Sequence, residues 1–287
     1  MRMTLEELLG QGEEILKAAG IEEAALDAWY LLEYICHVDK VYYLLHKKET
    51  IEEKLQTAYE DVIRKRAERI PLQHITHEQE FMGYSFYVNE NVLIPRQDTE
   101  ILVERILSDQ KRNAEKESIS VLDVCTGSGC IIISLAKEMP LKKAAAVDIS
   151  KEALEVAKKN CEQLDVLVEL KQSDLFEAVT EKYDVIVSNP PYIESREIEE
   201  LMPEVKEHEP LLALDGKEDG LYFYRKIIEE STKYLKDNGS LYFEIGYNQG
   251  AAVKQMMDDA GFLDVKVEKD LAGLDRIVFG RFSMKNP

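Results

Sequence analysis

The chain has 287 residues, enough for one large α/β domain and a smaller one. Its 36 Lys and Arg against 56 Asp and Glu leave a formal net charge of -20, spread along the chain, which argues against a generic surface for tracking phosphates. The opening run Met1-Arg2-Met3-Thr4-Leu5 lacks the apolar stretch of a signal peptide, and no apolar run approaches the roughly 20 residues that span a bilayer, so a cytoplasmic protein with no membrane partner is expected.

Residues 1–71 read as a helical bundle. Thr4-Leu5-Glu6-Glu7 and Thr50-Ile51-Glu52-Glu53 both have the spacing of a capping box, which closes a helix start by pairing two orphan N–H groups. Leu5, Leu8, Leu9, Ile15 and Leu16 suit the apolar face of a first helix. Ala25, Trp29 and Leu32 suit a second, and Ile51, Leu55, Tyr59, Val62 and Ile63 a later one that ends near Pro71. Residues 72–95 change character. The aromatic segment Glu80–Asn89, broken at Gly83, predicts a β-hairpin connector.

Residues 96–287 alternate. The pattern predicts helix 98–112, strand 120–124, helix 129–138, strand 144–148, helix 150–163, strands 166–171 and 183–188, helix 219–236, strand 239–245, helix 248–260 and strands 263–269 and 275–281. Such alternation implies an α/β fold whose mostly parallel sheet is covered on both faces, with an antiparallel hairpin last.

Chemistry enters at the turn after the first strand of this region. Val121-Leu122-Asp123-Val124 runs into Cys125-Thr126-Gly127-Ser128-Gly129, a glycine-rich turn that lets a ligand approach the backbone. Asp148 stands 19 residues beyond Gly129, at the end of the next strand, where a carboxylate can accept hydrogen bonds from a ribose diol. A nicotinamide site would fit a similar pattern, but Ile132 occupies the place of the third glycine and pyrophosphate binding loses support. A tight βα turn without ligand, and Asp148 as a helix-start residue, are the plain alternatives.

The second chemical segment is Asn189-Pro190-Pro191-Tyr192, after strand 183–188. Each proline restricts the residue before it to extended conformations, so the strand end is stiff. The Asn189 side-chain oxygen and the Pro190 carbonyl are two acceptors. An amide nitrogen is a poor nucleophile, because its lone pair is delocalised. Two acceptors can hold its hydrogens, aim it at a methyl donor and favour the positive charge that develops on it. Tyr192 can stack on the amide plane. The plain alternative is a proline-rich turn.

These residues resemble those of the bacterial release factor glutamine N5-methyltransferases (the HemK/PrmC family), which have the class I, Rossmann-like methyltransferase fold. The resemblance spans nearly the whole chain and rests on Pro71–Thr76, Glu80-Phe81, Leu93–Glu100, the loop 123–129, Asn189–Tyr192, Glu209-Pro210 and Glu244-Ile245-Gly246. It implies S-adenosylmethionine as cofactor, with S-adenosylhomocysteine as product, held by Cys125, Thr126, Gly127, Ser128, Gly129, Asp148, Asp174, Leu175 and Asn189. It implies that Asn189, Pro190, Pro191 and Tyr192 bind the glutamine of the Gly-Gly-Gln motif of a release factor, and the acidic, amphipathic character of the helical domain 1–71 suits it to recognise that protein better than a nucleic acid. The methyltransferase domain would then be 96–287. Two departures stand out. The loop starts with Cys125 where the family usually has glycine, and Leu175 stands where Trp is common. A sister enzyme acting on a ribosomal protein usually departs from Arg96-x-Asp98-Thr99-Glu100, which favours release factors. A nucleic-acid exocyclic amine methyltransferase is the other alternative, and the acidic charge weighs against it. Neither a metal site nor a disulfide framework is expected. His74 and His77 have no acidic or cysteine neighbour at ligand spacing, and Cys36, Cys125, Cys130 and Cys161 are scattered.

Overall fold

A capping box does start the first helix. The Thr4 hydroxyl accepts the Glu7 N–H and the Glu7 carboxylate accepts the Thr4 N–H, opening α1 (Leu5–Ala18). The second predicted box does not form. Thr50 pairs with Thr4 in an antiparallel bridge, the Leu5 N–H donates to the Glu49 carbonyl, and the Ile51 N–H donates to that of Met3. Those bonds hold residues 49–51 extended, so the helix begins only after Glu52, whose side chain makes no cap.

The computed structural model describes residues 2–112 and 118–284. They fall into two compact units: the chain up to Glu78 together with Met202–His208, and Gln79–Leu201 together with the chain from Glu209 onward. The helical unit therefore extends past the expected boundary at residue 71 and takes in a segment from far along the chain. It holds α1, α2 (Ala24–Cys36), α3 (Lys40–His46), α4 (Glu53–Ala67) and the short α5 (Leu72–Thr76). Leu8, Leu16, Trp29, Leu32, Tyr59 and Ile63 form its core. Ile15 and Ala25, placed on apolar faces by spacing, are exposed instead. Both lie at the margin of their stripes, where Leu16 and Ala24 take the buried positions.

One buried ion cluster ties the two segments of this unit together. Arg66 pairs with Asp27 at 2.7 Å and with Glu204 at 3.1 Å, and Arg69 reaches Glu204 at 3.0 Å. Asp27, Arg66 and Glu204 are all buried. Burial works against the charge on Glu204, but bonds from its own backbone, Arg69 and Arg66 outweigh it and lower its pKa.

The second unit carries a small two-stranded sheet of β1 (Glu78–Phe81) and β2 (Tyr84–Tyr87), and a seven-stranded sheet in the order β5-β4-β3-β6-β7-β9-β8. Here β3 is Ile119–Val124, β4 Leu141–Asp148, β5 Glu169–Gln172, β6 Tyr183–Ser188, β7 Leu235–Glu244, β8 Leu263–Lys269 and β9 Asp275–Arg281. The first five strands of that order run parallel, and β9 is antiparallel to both neighbours. The last hairpin folds so that β9 enters the sheet and β8 forms the edge. Alternate residues face opposite layers. Val121, Val185 and Tyr242 pack with α6 (Gln97–Arg112) and α7 (Cys130–Glu138). Leu122, Ile186 and Phe243 pack with Tyr224 and Ile227 of α11 (Tyr222–Tyr234) and with Val253 and Met257 of α12 (Gly250–Asp259). In chain order, α8 (Lys151–Gln163) follows β4 and α10 (Leu211–Leu214) precedes α11, and α9 (Pro203–His208) belongs to the helical unit. The region 198–214 carries short helical turns that no period in the sequence predicts.

Removing Arg66 leaves Asp27 and Glu204 buried without that partner. Arg66→Ala is expected to destabilise the protein by about 3 kcal/mol, read as a lowered urea midpoint of the helical signal. A change under about 0.5 kcal/mol would mean that the cluster does not hold the unit.

Candidate active site

Register brings four strand ends together. Val124 pairs with Val147 and with Ser188, and Ser188 pairs with Phe243. The next residues, Cys125, Asp148, Asn189 and Glu244, thus stand at one edge of the sheet. The strand order reverses beside β3, which is where open α/β sheets form a ligand crevice.

A cavity of about 310 Å³ opens over this edge, within the range of small-molecule sites. Cys125, Thr126, Gly127 and Ser128 line it from the glycine turn, and Asp148 from the end of β4. Asp174 and Leu175 line it from the segment after β5, and Asn189 and Pro191 from the segment after β6. Gly129, Pro190 and Tyr192 are not on its wall. Arg96, Thr99, Lys217, Tyr222 and Phe223 are, and of these only Arg96 and Thr99 belong to segments that the sequence had marked out.

The three small residues of the turn do different work. A Cβ on Gly129 would meet Ile133 Cδ1 at 2.9 Å and Ala157 Cβ at 3.3 Å, so this glycine serves the packing of α7 against α8. A Cβ on Gly127 would meet nothing within 4 Å, so its bareness leaves room on the cavity side. Cys125 has φ 62, a left-handed conformation that costs a side-chain-bearing residue about 1–2 kcal/mol. That conformation is the physical reason a glycine suits the position. Leu175, the other departure, also has a positive φ of 47.

Asp148 holds the turn to the next strand end. Its Oδ2 accepts the Gly127 N–H at 2.8 Å and its Oδ1 accepts the Ser150 N–H at 2.9 Å. Each oxygen keeps a lone pair for a diol. Burial raises its pKa, and bonds from the backbone of Gly127, Ser150 and Ile149 oppose that shift. Asp123, the first residue of the matched segment 123–129 but given no role of its own in the sequence, is fully buried. It accepts the Thr126 hydroxyl at 2.6 Å, and burial pushes its carboxyl up to about 7.

At the end of β6 the Ser188 hydroxyl donates to the Val124 carbonyl at 2.6 Å and fixes the strand end. The Asn189 Nδ2 donates to Thr99 Oγ1 at 3.4 Å, which leaves Oδ1 as the outward acceptor. Tyr192 is held from behind. Its carbonyl accepts from Gln249 Nε2 at 2.9 Å, its hydroxyl lies 3.5 Å from Glu244 Oε1, and a Cβ on Gly216 would stand 2.7 Å from its Cα. Gly216, Gly220 and Gln249 support this segment, and no local pattern announces them. Glu244 is 2 % exposed, and burial pushes its carboxyl up to about 7. Arg96 pairs with the buried Glu209.

Comparisons with known proteins bear on both units. The family described as "PrmC N-terminal domain" matches residues 7–76, and the one described as "Methyltransferase small domain" matches residues 97–208. The chain is 40% identical to a release factor glutamine methyltransferase of Clostridium acetobutylicum over 96% of this chain and 98% of that protein. It is 41% identical to one of Streptococcus pneumoniae over 96% and 98%. Among solved structures, the hMettl16 catalytic domain in complex with the MAT2A 3'UTR hairpin 6 has a TM-score of 0.56 at 18% identity, covering 79% of this chain and 84% of that one. A methyltransferase from Pyrococcus furiosus has a TM-score of 0.51 at 18% identity, covering 77% and 99%. At such identities these structures show a shared fold.

Two outcomes follow from the turn and its acids. Gly129→Ala combines a positive φ of 80 with a clash and is expected to cost about 2 kcal/mol in urea unfolding, whereas Gly127→Ala should cost about 1 kcal/mol. Equal losses would contradict the division of roles. Asp123 binds its proton more tightly folded than unfolded, so its contribution to stability is full below about pH 4 and is lost as pH rises through about 7. Asp123→Asn should therefore gain stability relative to the unaltered protein on going from pH 5 to pH 8, by urea midpoints. A difference that is flat with pH would show that Asp123 is ionised throughout.

Proposed function

The chain belongs to the release factor glutamine methyltransferases, and from that membership we propose how its cavity and strand ends carry out the transfer. It is an S-adenosylmethionine-dependent methyltransferase acting on the side-chain amide nitrogen of a glutamine in a release factor. The glutamine is that of the Gly-Gly-Gln motif. Among the described residues no helix is long and apolar enough to cross a membrane.

The residues around the cavity suit the cofactor. Gly127 leaves room for it beside the backbone, and Asp148 retains lone pairs for the ribose diol. Leu175, Ile149 and Phe223 offer an apolar wall for adenine, with Asp174 beside them as an acceptor for its amino group. When bound, S-adenosylmethionine supplies an electrophilic methyl carbon, and the C–S electron pair leaves on sulfur as S-adenosylhomocysteine.

The chain's own residues hold the nucleophile. Asn189 Oδ1 accepts one hydrogen of the substrate amide and the Pro190 carbonyl accepts the other. Both acceptors gain strength as positive charge develops on nitrogen. Tyr192, which lies off the cavity wall with its hydroxyl toward Glu244, flanks the amide plane from beyond that wall. Once the C–N bond has formed, the nitrogen loses its proton to water, so no strong base is required. The observation that carries this reading is the placement of Asn189 on the cavity wall with its Nδ2 already engaged by Thr99.

The helical unit supplies a surface for a protein partner. Val41, Leu44 and Leu45 of α3 are 66%, 69% and 75% exposed, and Leu26 and Tyr30 of α2 are exposed as well. Exposed apolar side chains of this size suit a protein surface better than a phosphate backbone.

Asn189→Ala is expected to lower kcat on a release factor by roughly 10²–10³ at saturating cofactor, with the fold intact by circular dichroism. Turnover equal to that of the unaltered protein would make the segment structural. Asp148→Ala should weaken cofactor binding by about 1–3 kcal/mol, and unchanged affinity would remove the ribose contact. Replacing Leu44 and Leu45 with Ser should raise KM for the release factor several-fold at unchanged cofactor affinity. An unchanged KM would take α3 out of recognition.

A further inference from the structure

We propose that Glu244 is a positioning residue for the transfer: its buried carboxylate orients the Asn189 amide and the Tyr192 hydroxyl, so that Asn189 presents oxygen and not NH2 to the substrate. This deepens the glutamine reading above and rests on it.

The register is the origin of the arrangement. Phe243 pairs with Ser188, so Glu244 and Asn189 follow side by side at the ends of neighbouring parallel strands. Thr99, 2 % exposed in the first turn of α6, stands with them. The Asn189 Nδ2 donates to Thr99 Oγ1 at 3.4 Å and the Tyr192 hydroxyl donates to Glu244 Oε1 at 3.5 Å, and the side chains of Thr99 and Asn189 are neighbours that favour the charged form of Glu244. Glu244 Oε2 is fully buried and has no hydrogen-bond partner among the described residues. A carboxyl is seldom buried with an unused oxygen, because the loss of hydration is costly. Here it sits directly behind the residue assigned to hold the substrate.

An ionised carboxylate accepts hydrogen bonds and donates none. Of the two ends of the Asn189 amide, only the NH2 end is attracted toward it, directly or through Thr99. The oxygen end is thereby left for the cavity. A flipped Asn189 would point two N–H groups at the N–H groups of a substrate amide. A protonated Glu244 would lose the preference, since its O–H can donate to an amide oxygen.

The charged and titratable groups around Glu244 are Arg276 of β9, Asp98 of α6, Tyr192, Tyr224 and Cys130. Arg276 is shared with Asp270 and Asp98, at 3.0 and 3.2 Å. Burial is the largest influence and pushes Glu244 up to about 7; Thr99, Arg276 and Asn189 oppose it, and Asp98 adds to it. The orienting, ionised form therefore gains population as pH rises through neutrality.

The experiment compares the full-length protein with Glu244→Gln and Thr99→Val, using S-adenosylmethionine and a purified release factor. For the unaltered protein, kcat should rise from pH 6 to pH 8 with a midpoint near 7. Glu244→Gln has the same shape but no charge and can pair with either end of the Asn189 amide. It should lose that rise and fall about tenfold or more in kcat at pH 8, with KM and cofactor affinity within about threefold. Its Asn189 side-chain NH2, followed by NMR, should exchange with solvent faster than in the unaltered protein. Thr99→Val, which keeps the charge and removes the hydroxyl link, should keep the pH rise at a several-fold lower kcat. It carries the test if Glu244→Gln does not fold. A folded Glu244→Gln with kcat within twofold and the same pH rise overturns the proposal, as does a Thr99→Val protein with unaltered kcat. An unaltered protein that methylates no glutamine in the release factor overturns the parent reading, and this one with it.

Discussion

The structure depends on one constraint: parallel strands in register must end together. Once Val124 is paired with Val147 and Ser188, and Ser188 with Phe243, four consecutive departures from the sheet share one edge. Residues separated by more than a hundred positions, such as Cys125 and Glu244, come to stand on either side of Asn189 by backbone hydrogen bonding alone. The rest of the site consists of what the chain does after each departure. It makes a glycine turn after β3, a carboxylate and a helix cap after β4, two prolines after β6 and a buried acid at the end of β7.

Carboxyl groups dominate that edge, and each is placed by a different balance. Asp148 spends its bonds on the Gly127 and Ser150 backbone and so ties a flexible turn to a rigid strand. Asp123 is one layer deeper, joined to the Thr126 hydroxyl. Glu244 lies behind Asn189 with one oxygen unused. All three are pushed toward the neutral form by burial, and an overall charge of -20 does nothing to relieve them. Acids retained under such conditions need a reason beyond stability, because apolar residues of similar size would fill the same space without the desolvation cost. The proposed roles, holding a turn for a cofactor and an amide for a substrate, supply such a reason.

Much of this was legible in the sequence. The strand–turn–helix at 119–138, the acid at 148 and the stiff segment 189–192 are local patterns, and local patterns survive reading in one dimension. The relatives and family matches support the resemblance that those segments suggested. What could not be read depends on tertiary pairing. The bridge between Thr4 and Thr50 overrides a capping box that the spacing at Thr50 invites. The backing of Tyr192 by Gly216, Gly220 and Gln249 joins positions far apart in the chain. Glu204 belongs with Arg66 and Arg69, more than 130 residues earlier, and only a folded chain shows it. The positive φ at Cys125 is likewise invisible in a residue type that rarely adopts it.

The central claim is that the edge formed by these strand ends transfers a methyl group to an amide nitrogen. The measurement that tests it most directly is localisation of an isotopically labelled methyl group, by fragmentation mass spectrometry, after the protein is incubated with labelled S-adenosylmethionine, a release factor and, in parallel, bulk ribosomal protein and RNA. The account predicts one labelled methyl on the side-chain nitrogen of the glutamine in the Gly-Gly-Gln motif. Label on a nucleic-acid amine, or on a release factor residue other than glutamine, would contradict it.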